Sequence, residues 1–200
     1  MLVAGTRRSE ILGAALDVFA AHGVAGTSIE EIRRRSGASV GSIYHHFPGG
    51  KDAIAGSLFV EGLRDYQGGF VEVLRQAPST RRGVEGAVEH HLGWIAENPD
   101  LTRFILLGRD ARVVVASERP LRDINRRFFT AVRKWAQPRV DEGELRDLPP
   151  ELVTALWIGP SQDFARYWLA GQSRTSPQTA APVLAAAAWR SLRADPELNR

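Results

Sequence analysis

A short segment near the N-terminus combines side chains that can bind anionic oxygens with side chains small enough to admit a close partner. Ser39, Gly41 and Ser42 are small and stand at the start of a predicted helix, whose free N–H groups and dipole favour phosphate. Residues 44–46 (Tyr-His-His) are longer and can donate hydrogen bonds to phosphate oxygens, and Lys51 adds a cation. The types and spacing therefore indicate phosphate binding and close contact with base edges.

Adjacent histidines could instead indicate a metal site, but their spacing argues against one. Successive helical residues point about 100° apart, so His45 and His46 cannot easily share one ion. His90 and His91 form a similar pair, and no Glu precedes either at the three-residue spacing of di-iron helices. The chain has no cysteine, which excludes thiolate sites and disulfides. We therefore predict no metal site and no cofactor.

Two short helices joined by a Ser-Gly-Ala turn are predicted to position this segment. Thr27 with Glu30 fits the spacing of a capping box at the start of the first helix. Ser28 with Glu31 fits that spacing equally. The second helix covers residues 39–46. This pair has the size of a helix-turn-helix, in which the second helix enters the major groove of DNA.

The remaining sequence shows apolar spacings of three and four residues, interrupted by proline and glycine, which predicts an all-α fold of about nine helices. A break is predicted at Arg119-Pro120, and Pro160 is expected to kink or split the penultimate helical stretch. The β-branched run Val113–Ala116 could argue for a strand, but it lacks a partner strand. The helices are expected near residues 8–22, 28–35, 39–46, 51–76, 80–97, 101–109, 121–143, 151–170 and 177–194.

Charge and composition allow a polyanionic partner without identifying one. The 200 residues carry a net charge of +3. Residues 1–51 hold six Lys or Arg against four Asp or Glu, a modest excess that permits a nucleic-acid partner. No apolar run reaches the ~20 residues of a membrane span, and charges early in the chain do not fit a signal peptide. A cytoplasmic protein without a membrane partner is the expectation.

Three stretches resemble the signature of the TetR (tetracycline-repressor-like) family of regulators over about 45 residues. They are Thr27-Ser-Ile-Glu-Glu-Ile32, Ser36-Gly-Ala-Ser-Val-Gly-Ser-Ile-Tyr-His-His-Phe47 and Lys51-Asp-Ala-Ile54. The resemblance implies an N-terminal three-helix domain with a helix-turn-helix over residues 1–50. It also implies a larger helical domain for ligand binding and dimerisation over residues 51–200.

The resemblance also implies individual roles. The residues expected to hold phosphates are Ser28, Tyr44, His46 and Lys51, with Thr27 assisting. The residues expected to face base edges are Val40, Gly41, Ser42 and His45, with Ser39 as the helix cap. The sequence departs from many relatives in Arg33-Arg34-Arg35, which either add phosphate contacts or are solvated, and in an extra glycine before Lys51. An alternative interpretation is that Tyr44 and Phe47, which lie at helical spacing, belong to the apolar core.

A ligand pocket in the second domain is expected between its middle helices, because pockets are mostly apolar with a few placed polar groups. Aromatic residues at helical spacing fit an apolar core equally well, so both interpretations stay open. The candidate lining residues are Tyr66, Phe70, His91, Trp94, Phe104, Arg109, Phe128, Trp157, Phe164 and Trp168.

The resulting hypothesis is a sequence-specific DNA-binding repressor. A homodimer, formed by the last two long helices with Ala185–Ala188 as a smooth surface and Trp189 as an anchor, would bind a palindromic operator. An unknown small apolar or aromatic effector would release it. The alternative is a DNA-binding activator, or a partner-controlled regulator without a small ligand. The sequence has no His-Glu-x-x-His, no phosphate loop and no Cys nucleophile, so an enzyme is not expected.

Overall fold

Helices provide all the regular secondary structure in residues 6–107 and 111–195, which the computed structural model describes. The ten helices of this part are α1 Arg7–Gly26, α2 Ile29–Ser36, α3 Val40–His46, α4 Gly50–Gln76, α5 Thr80–Glu97, α6 Pro99–Leu107, α7 Ala111–Asp141, α8 Pro150–Trp157, α9 Gly159–Leu169 and α10 Pro177–Leu192. The predicted all-α fold is thus confirmed. None of the helices in these two ranges combines the length and the apolar composition that a membrane span requires.

Of the predictions made for two prolines, one is confirmed and the other is wrong. Pro160 lies in the first turn of α9, directly after the end of α8, so the predicted split of this stretch is confirmed. A proline is tolerated there because its missing N–H would have no partner in the helix. The break predicted at Arg119-Pro120 is wrong, because both residues lie inside α7, a continuous helix of 31 residues. One interior proline costs about 3 kcal/mol, which the regular turns on both sides of a long helix can offset. Val113–Ala116 also lies within α7.

The contacts divide the chain into two compact units. The first unit comprises Met1–Asp65 with Asn98–Asn125, and the second comprises Tyr66–Glu97 with Arg126–Arg200. Helices α4 and α7 each contribute residues to both units. The expected division into a DNA-binding domain, residues 1–50, and a ligand-binding and dimerisation domain, residues 51–200, follows function rather than packing. That division stays a prediction.

The core of the first unit is built from the apolar faces of its helices. Its fully buried members include Ile11, Leu12, Ile32, Ile43, Phe47, Ile54 and Leu58. Phe104 of α6 stacks on Phe19 of α1, with ring centroids 5.8 Å apart. Gly62 of α4 lies so close to Leu101 that a Cβ atom there would be 3.0 Å from the leucine side chain. These contacts pack α6 against α1 and α4.

In the second unit, α10 packs along α5. Ala185 and Ala188 of α10 are buried in the chain's own core, so the expectation that the whole Ala185–Ala188 run forms a smooth dimer surface is wrong. Their short side chains serve internal packing, because small residues allow helix backbones to approach closely. Trp157 of α8 is also buried, and its indole Nε1 donates to the carbonyl oxygen of Val84 at 2.9 Å.

Candidate functional site

The start of α2 is fixed by a reciprocal cap. The Ser28 hydroxyl accepts a hydrogen bond from the backbone N–H of Glu31 at 3.2 Å. The Glu31 carboxylate accepts hydrogen bonds from the backbone N–H of Ser28 at 2.7 Å and from its hydroxyl at 2.8 Å, and these two bonds lower the pKa of Glu31. Of the two alternative capping boxes, the structure forms the Ser28–Glu31 pair, while the Thr27 hydroxyl donates to the carbonyl oxygen of Gly23. Capping boxes of this kind satisfy two orphan donors at once.

Helix α3 presents two different faces. Ile43 and Phe47 are buried, as expected of core residues, whereas Val40 and Tyr44 are each 46% exposed. The Ser39 hydroxyl caps the helix by accepting from the backbone N–H of Ser42 at 3.1 Å. The predicted contact residues therefore divide by exposure. Ser39, Val40, Gly41, Tyr44 and His45 are exposed, and Ser42 and His46 are half-buried.

The sequence of residues 37–41, Gly-Ala-Ser-Val-Gly, matches the Gly-x-Ser-x-Gly pattern of a nucleophile elbow, but the backbone here does not form such an elbow. Such an elbow connects a strand to a helix. Here α2 precedes the turn, Gly37 adopts a left-handed conformation with φ 65°, and the Ser39 hydroxyl is the cap of α3. The serine is thus part of a helix-turn-helix rather than a nucleophile on a strained elbow.

The extra glycine before Lys51 has a structural reason. Gly50 begins α4 with φ 60°, a left-handed conformation that side chains other than glycine rarely adopt. A Cβ atom on Gly50 would also lie 3.5 Å from the Tyr44 ring. The glycine thus allows the backbone at the start of α4 to pack against the ring of Tyr44.

The Lys51 ammonium group binds backbone carbonyls within the first unit. Its Nζ donates to the carbonyl oxygen of Thr27 at 2.7 Å and to that of Ala25 at 3.3 Å. These bonds connect the start of α4 to the junction of α1 and α2. The side chain of Thr27 is buried and does not join the exposed face formed by α3.

The three consecutive arginines of α2 differ in their partners. Arg33 pairs with Glu30 at 2.7 Å, which lowers the pKa of that glutamate, and Arg35 pairs with Asp17 at 2.7 Å. Arg34 is exposed, and no ion pair or hydrogen bond involves it within the described ranges. Two of the three arginines thus form ion pairs within the chain. The sequence alone had left open whether these arginines contact phosphates or are solvated.

Most of the predicted ligand-binding residues of the second unit come together in one group. We call this group the aromatic cluster; it comprises Tyr66, Phe70, His90, His91, Trp94, Phe128, Trp135 and Trp157. Tyr66 contacts Phe70, His90, His91 and Trp94 at centroid distances of 5.5–6.1 Å. Phe70 connects Tyr66 to Phe128 at 5.3 Å and to Trp157 at 5.5 Å, and Trp157 lies 5.9 Å from Trp135.

The polar atoms of the aromatic cluster are only partly satisfied. The Tyr66 hydroxyl and His91 Nδ1 are 3.0 Å apart, and His90 Nε2 lies 2.9 Å from the carbonyl oxygen of Tyr66. Burial raises the pKa of Tyr66. Burial, and to a lesser extent the charge of His90, lowers the pKa of His91 to about 4. His91 Nε2 and Trp135 Nε1 are buried and have no hydrogen-bond partner in the described part of the chain.

Other candidates lie elsewhere. Phe104 belongs to the first unit, where it stacks on Phe19. Phe164 and Trp168 are half-buried residues of α9, and Arg109 lies outside the described residues. His90 and Trp135 join the aromatic cluster although neither was proposed as a lining residue. In the sequence, only the position of His90 beside His91 could have indicated that His90 is a member. The Trp135 ring packs against Gly83, where a Cβ atom would clash with the ring.

Three exposed apolar side chains lie on the helices expected to form a dimer. Leu152, Tyr167 and Val183 belong to α8, α9 and α10 respectively. Soluble monomers expose single apolar residues routinely, so no one of them identifies an interface. Together, they mark the surface of the last three helices as a candidate for covering by another molecule.

The comparisons with known proteins agree with the helix-turn-helix geometry. A family model described as bacterial regulatory proteins, tetR family, matches residues 11–58. The chain is 47% identical over 51 residues to the HTH-type transcriptional regulator LmrA of Bacillus subtilis (strain 168), a match covering 26% of this chain and 27% of that protein. It is 26% identical over 150 residues to the HTH-type transcriptional repressor KstR2 of Rhodococcus jostii (strain RHA1), covering 74% and 72%.

The similarity of fold extends over nearly the whole chain. The transcriptional regulator FadR from Bacillus subtilis, solved in complex with stearoyl-CoA, superimposes with a TM-score of 0.76 at 17% identity. The superposition covers 91% of this chain and 97% of that chain. These relatives are named as transcriptional regulators rather than enzymes. The N-terminal part of the chain, residues 11–58, thus resembles the tetR family of bacterial regulatory proteins, and the helix-turn-helix and the fold agree with that resemblance.

Proposed function

We propose that this protein is a transcriptional repressor that binds a palindromic operator as a homodimer and releases it when a small apolar or aromatic effector binds. The observation that carries the proposal is the exposed face of α3, where Val40 and Tyr44 are each 46% exposed beside buried Ile43 and Phe47. A helix held by its apolar face and free on the other can enter a major groove. The name of KstR2, a repressor, supports repression over activation.

The dimer is supported by the exposed apolar residues of α8, α9 and α10. Leu152, Tyr167 and Val183 would be covered by a second copy, as would the half-buried Trp189. A twofold axis would then present two copies of α3 to successive major grooves, roughly 34 Å apart. One helix-turn-helix alone makes too small an interface for tight specific binding.

The effector site is proposed at the aromatic cluster. An effector shifts the protein away from the DNA-binding state only by the difference between its affinities for the two states. FadR of Bacillus subtilis was solved with stearoyl-CoA, so a similar fold accommodates a ligand that carries a long apolar chain. The rings of the cluster supply an apolar lining, and His91 supplies a buried polar group.

A second candidate function is a regulator controlled by a protein partner without a small ligand. The ring contacts of the aromatic cluster, at centroid distances of 5.3–6.1 Å, are also those of a filled core and favour this alternative. The two functions separate in one assay. Apolar compounds that release operator DNA support the repressor with an effector, whereas release only by a cell-derived protein supports the alternative.

The DNA-binding role is tested by selecting bound sequences from fragmented genomic DNA and measuring affinity by fluorescence anisotropy. Tyr44→Ala is expected to lower affinity about tenfold for every selected sequence, since a phosphate contact carries no sequence information. Val40→Ala is expected to change the order of preference among sequences. Arg75→Ala, an exposed change on α4 outside the helix-turn-helix, is the control and should bind as the unaltered protein does. Unchanged binding by Tyr44→Ala would contradict the assignment of α3.

A further inference from the structure

His91 carries a buried hydrogen-bonding atom that nothing in the described chain satisfies. The side chain is only 6% exposed, and its Nε2 has no partner. A buried donor or acceptor without a partner destabilises the folded state, so such atoms are rare in folded proteins and call for an explanation. The other ring nitrogen of His91 has a hydrogen-bond partner, because Nδ1 lies 3.0 Å from the Tyr66 hydroxyl.

The neighbouring tyrosine decides which ring nitrogen of His91 carries the proton. If the Tyr66 hydroxyl donates to Nδ1, the hydroxyl proton is satisfied and only Nε2–H remains without a partner. If Nδ1–H donated instead, the hydroxyl proton and the Nε2 lone pair would both lack partners. The first arrangement leaves fewer buried polar groups unsatisfied and is therefore favoured. His91 is thus a neutral imidazole with its Nε2–H free to donate.

A second orphan donor belongs to the same aromatic cluster. Trp135 Nε1–H is buried without a partner in the described residues, and Trp135 joins the cluster through Trp157 at 5.9 Å. Indole N–H groups can only donate. The cluster therefore offers buried donors without matching acceptors, which is the reverse of what a purely structural core needs. A guest that brings an acceptor oxygen would correct this imbalance.

We propose that the Nε2–H of His91 is the specificity determinant of the effector site, and that it recognises the neutral carbonyl oxygen of an otherwise apolar ketone, ester or amide. This inference rests on the proposed function. The ring of Tyr66, which contacts His91, and the ring of Trp94, which contacts Tyr66, supply the apolar contacts. A neutral acceptor fits better than a carboxylate, because an ion buried against a neutral imidazole would lose its hydration without gaining a counter-charge. The pKa of His91, lowered to about 4, keeps the ring neutral at physiological pH.

A pair of probes of similar size tests the proposal. Benzophenone and diphenylmethane both carry two phenyl rings on one carbon, and only benzophenone has a carbonyl oxygen. Isothermal titration calorimetry on the full chain is expected to show about tenfold tighter binding of benzophenone, the value of one net hydrogen bond. In His91→Phe the two probes should bind equally. Equal affinity in the unaltered protein, a preference that survives His91→Phe, or no binding of either probe would overturn the proposal.

A probe-free measurement keeps the proposal testable if His91→Phe does not fold. Long-range proton–nitrogen NMR correlations report which nitrogen of a histidine ring is protonated. The expected result is Nε2–H in the unaltered protein, and a mixture of both tautomers in Tyr66→Phe, which lacks the directing hydroxyl. Tyr66→Phe should also lose much of the preference for benzophenone. Observation of the Nδ1–H tautomer in the unaltered protein would overturn the proposal.

The failure of this inference differs from the failure of the proposed function. Operator binding is measured without any probe, and it depends on α3 of the first unit. A protein that binds selected DNA but shows no preference for benzophenone would remain a repressor candidate with a different effector chemistry. A protein that shows the preference but binds no DNA would retain the site and lose the proposed function.

Discussion

The helix-turn-helix and the aromatic cluster are built in contrasting ways. The candidate DNA-contact residues lie in one continuous stretch, 27–51, and those on α3 are mostly exposed. The cluster takes its members from α4, α5, α7 and α8, with Tyr66 and Trp157 far apart in the sequence. Phe70, His91 and Trp157 are buried and the other five members are half-buried, and two buried polar atoms have no partner in the described chain. The candidate DNA-reading surface is thus local, whereas the candidate sensing site requires the tertiary fold.

This difference has a physical cause. A surface that binds a polyanion can leave its polar groups hydrated until the partner arrives, so local caps and turns suffice to arrange it. A buried site must remove its polar groups from water during folding, and each unsatisfied group then costs stability. The cluster therefore has to be judged by its tertiary contacts, and four substitutions or conditions test the contrast.

The largest effect is expected from Ile43, which is fully buried on the inner face of α3. Ile43→Ala should lower the free energy of unfolding by about 4 kcal/mol, because it removes buried methyl groups and leaves a cavity. Tyr44→Ala, one residue along on the exposed face, should change stability by less than about 0.5 kcal/mol. Urea denaturation followed by circular dichroism measures both. Equal losses would show that α3 does not have two distinct faces.

The second effect is a pH dependence that belongs to the aromatic cluster. The folded-state pKa of His91 is about 4, against 6.5 for the free side chain, so the unfolded chain binds the proton more readily. The stabilisation from keeping His91 neutral is complete above pH 6.5 and disappears progressively as the pH falls to 4. The expected loss over this window is about 3 kcal/mol.

The measurement is the unfolding free energy at several pH values for the unaltered chain and for His91→Phe. Subtracting the variant removes the contribution of the other titrating groups. The difference should decrease steadily between pH 6.5 and pH 4. A difference that does not vary with pH would show that His91 titrates normally and that the cluster is open to water.

A smaller effect is expected from Trp157, whose indole N–H donates to the carbonyl oxygen of Val84 at 2.9 Å. Trp157→Phe keeps an aromatic ring but removes this hydrogen bond and leaves part of the indole volume unfilled, which should cost about 2 kcal/mol of unfolding free energy. Trp168→Phe is the control, since Trp168 is only half-buried. Similar losses in the two variants would contradict a specific role for the Trp157 hydrogen bond. Thermal and urea denaturation provide the comparison.

The smallest effect is expected at the cap of α2. Ser28→Ala removes the hydroxyl that accepts from the backbone N–H of Glu31 and should cost about 1 kcal/mol. Ser28→Thr retains a capping hydroxyl and should recover most of this stability. Hydrogen exchange of the α2 amides gives a local measurement. If Ser28→Thr is as unstable as Ser28→Ala, the cap does not explain the loss.

The sequence alone determined the local elements of this protein. The all-α class, the turn at Gly37 and the buried position of Phe47 follow from short-range rules of spacing and conformation, whereas the choice of Ser28 over Thr27 as the cap of α2 came from the structure. The split at Pro160 follows from the missing proline N–H. Short-range rules failed at Pro120, because the strength of the surrounding helix decides whether a proline ends it.

Only the tertiary structure decided which side chains have partners. It pairs Arg35 with Asp17, bonds Lys51 to the carbonyl oxygens of Ala25 and Thr27, and buries Ala185 inside its own chain. It also brings Tyr66 to His91 and leaves Nε2 without a partner. Spacing along a helix tells which residues share a face, but not what that face meets. Hydrogen bonding and burial depend on neighbours distant in sequence, and the fold alone provides them.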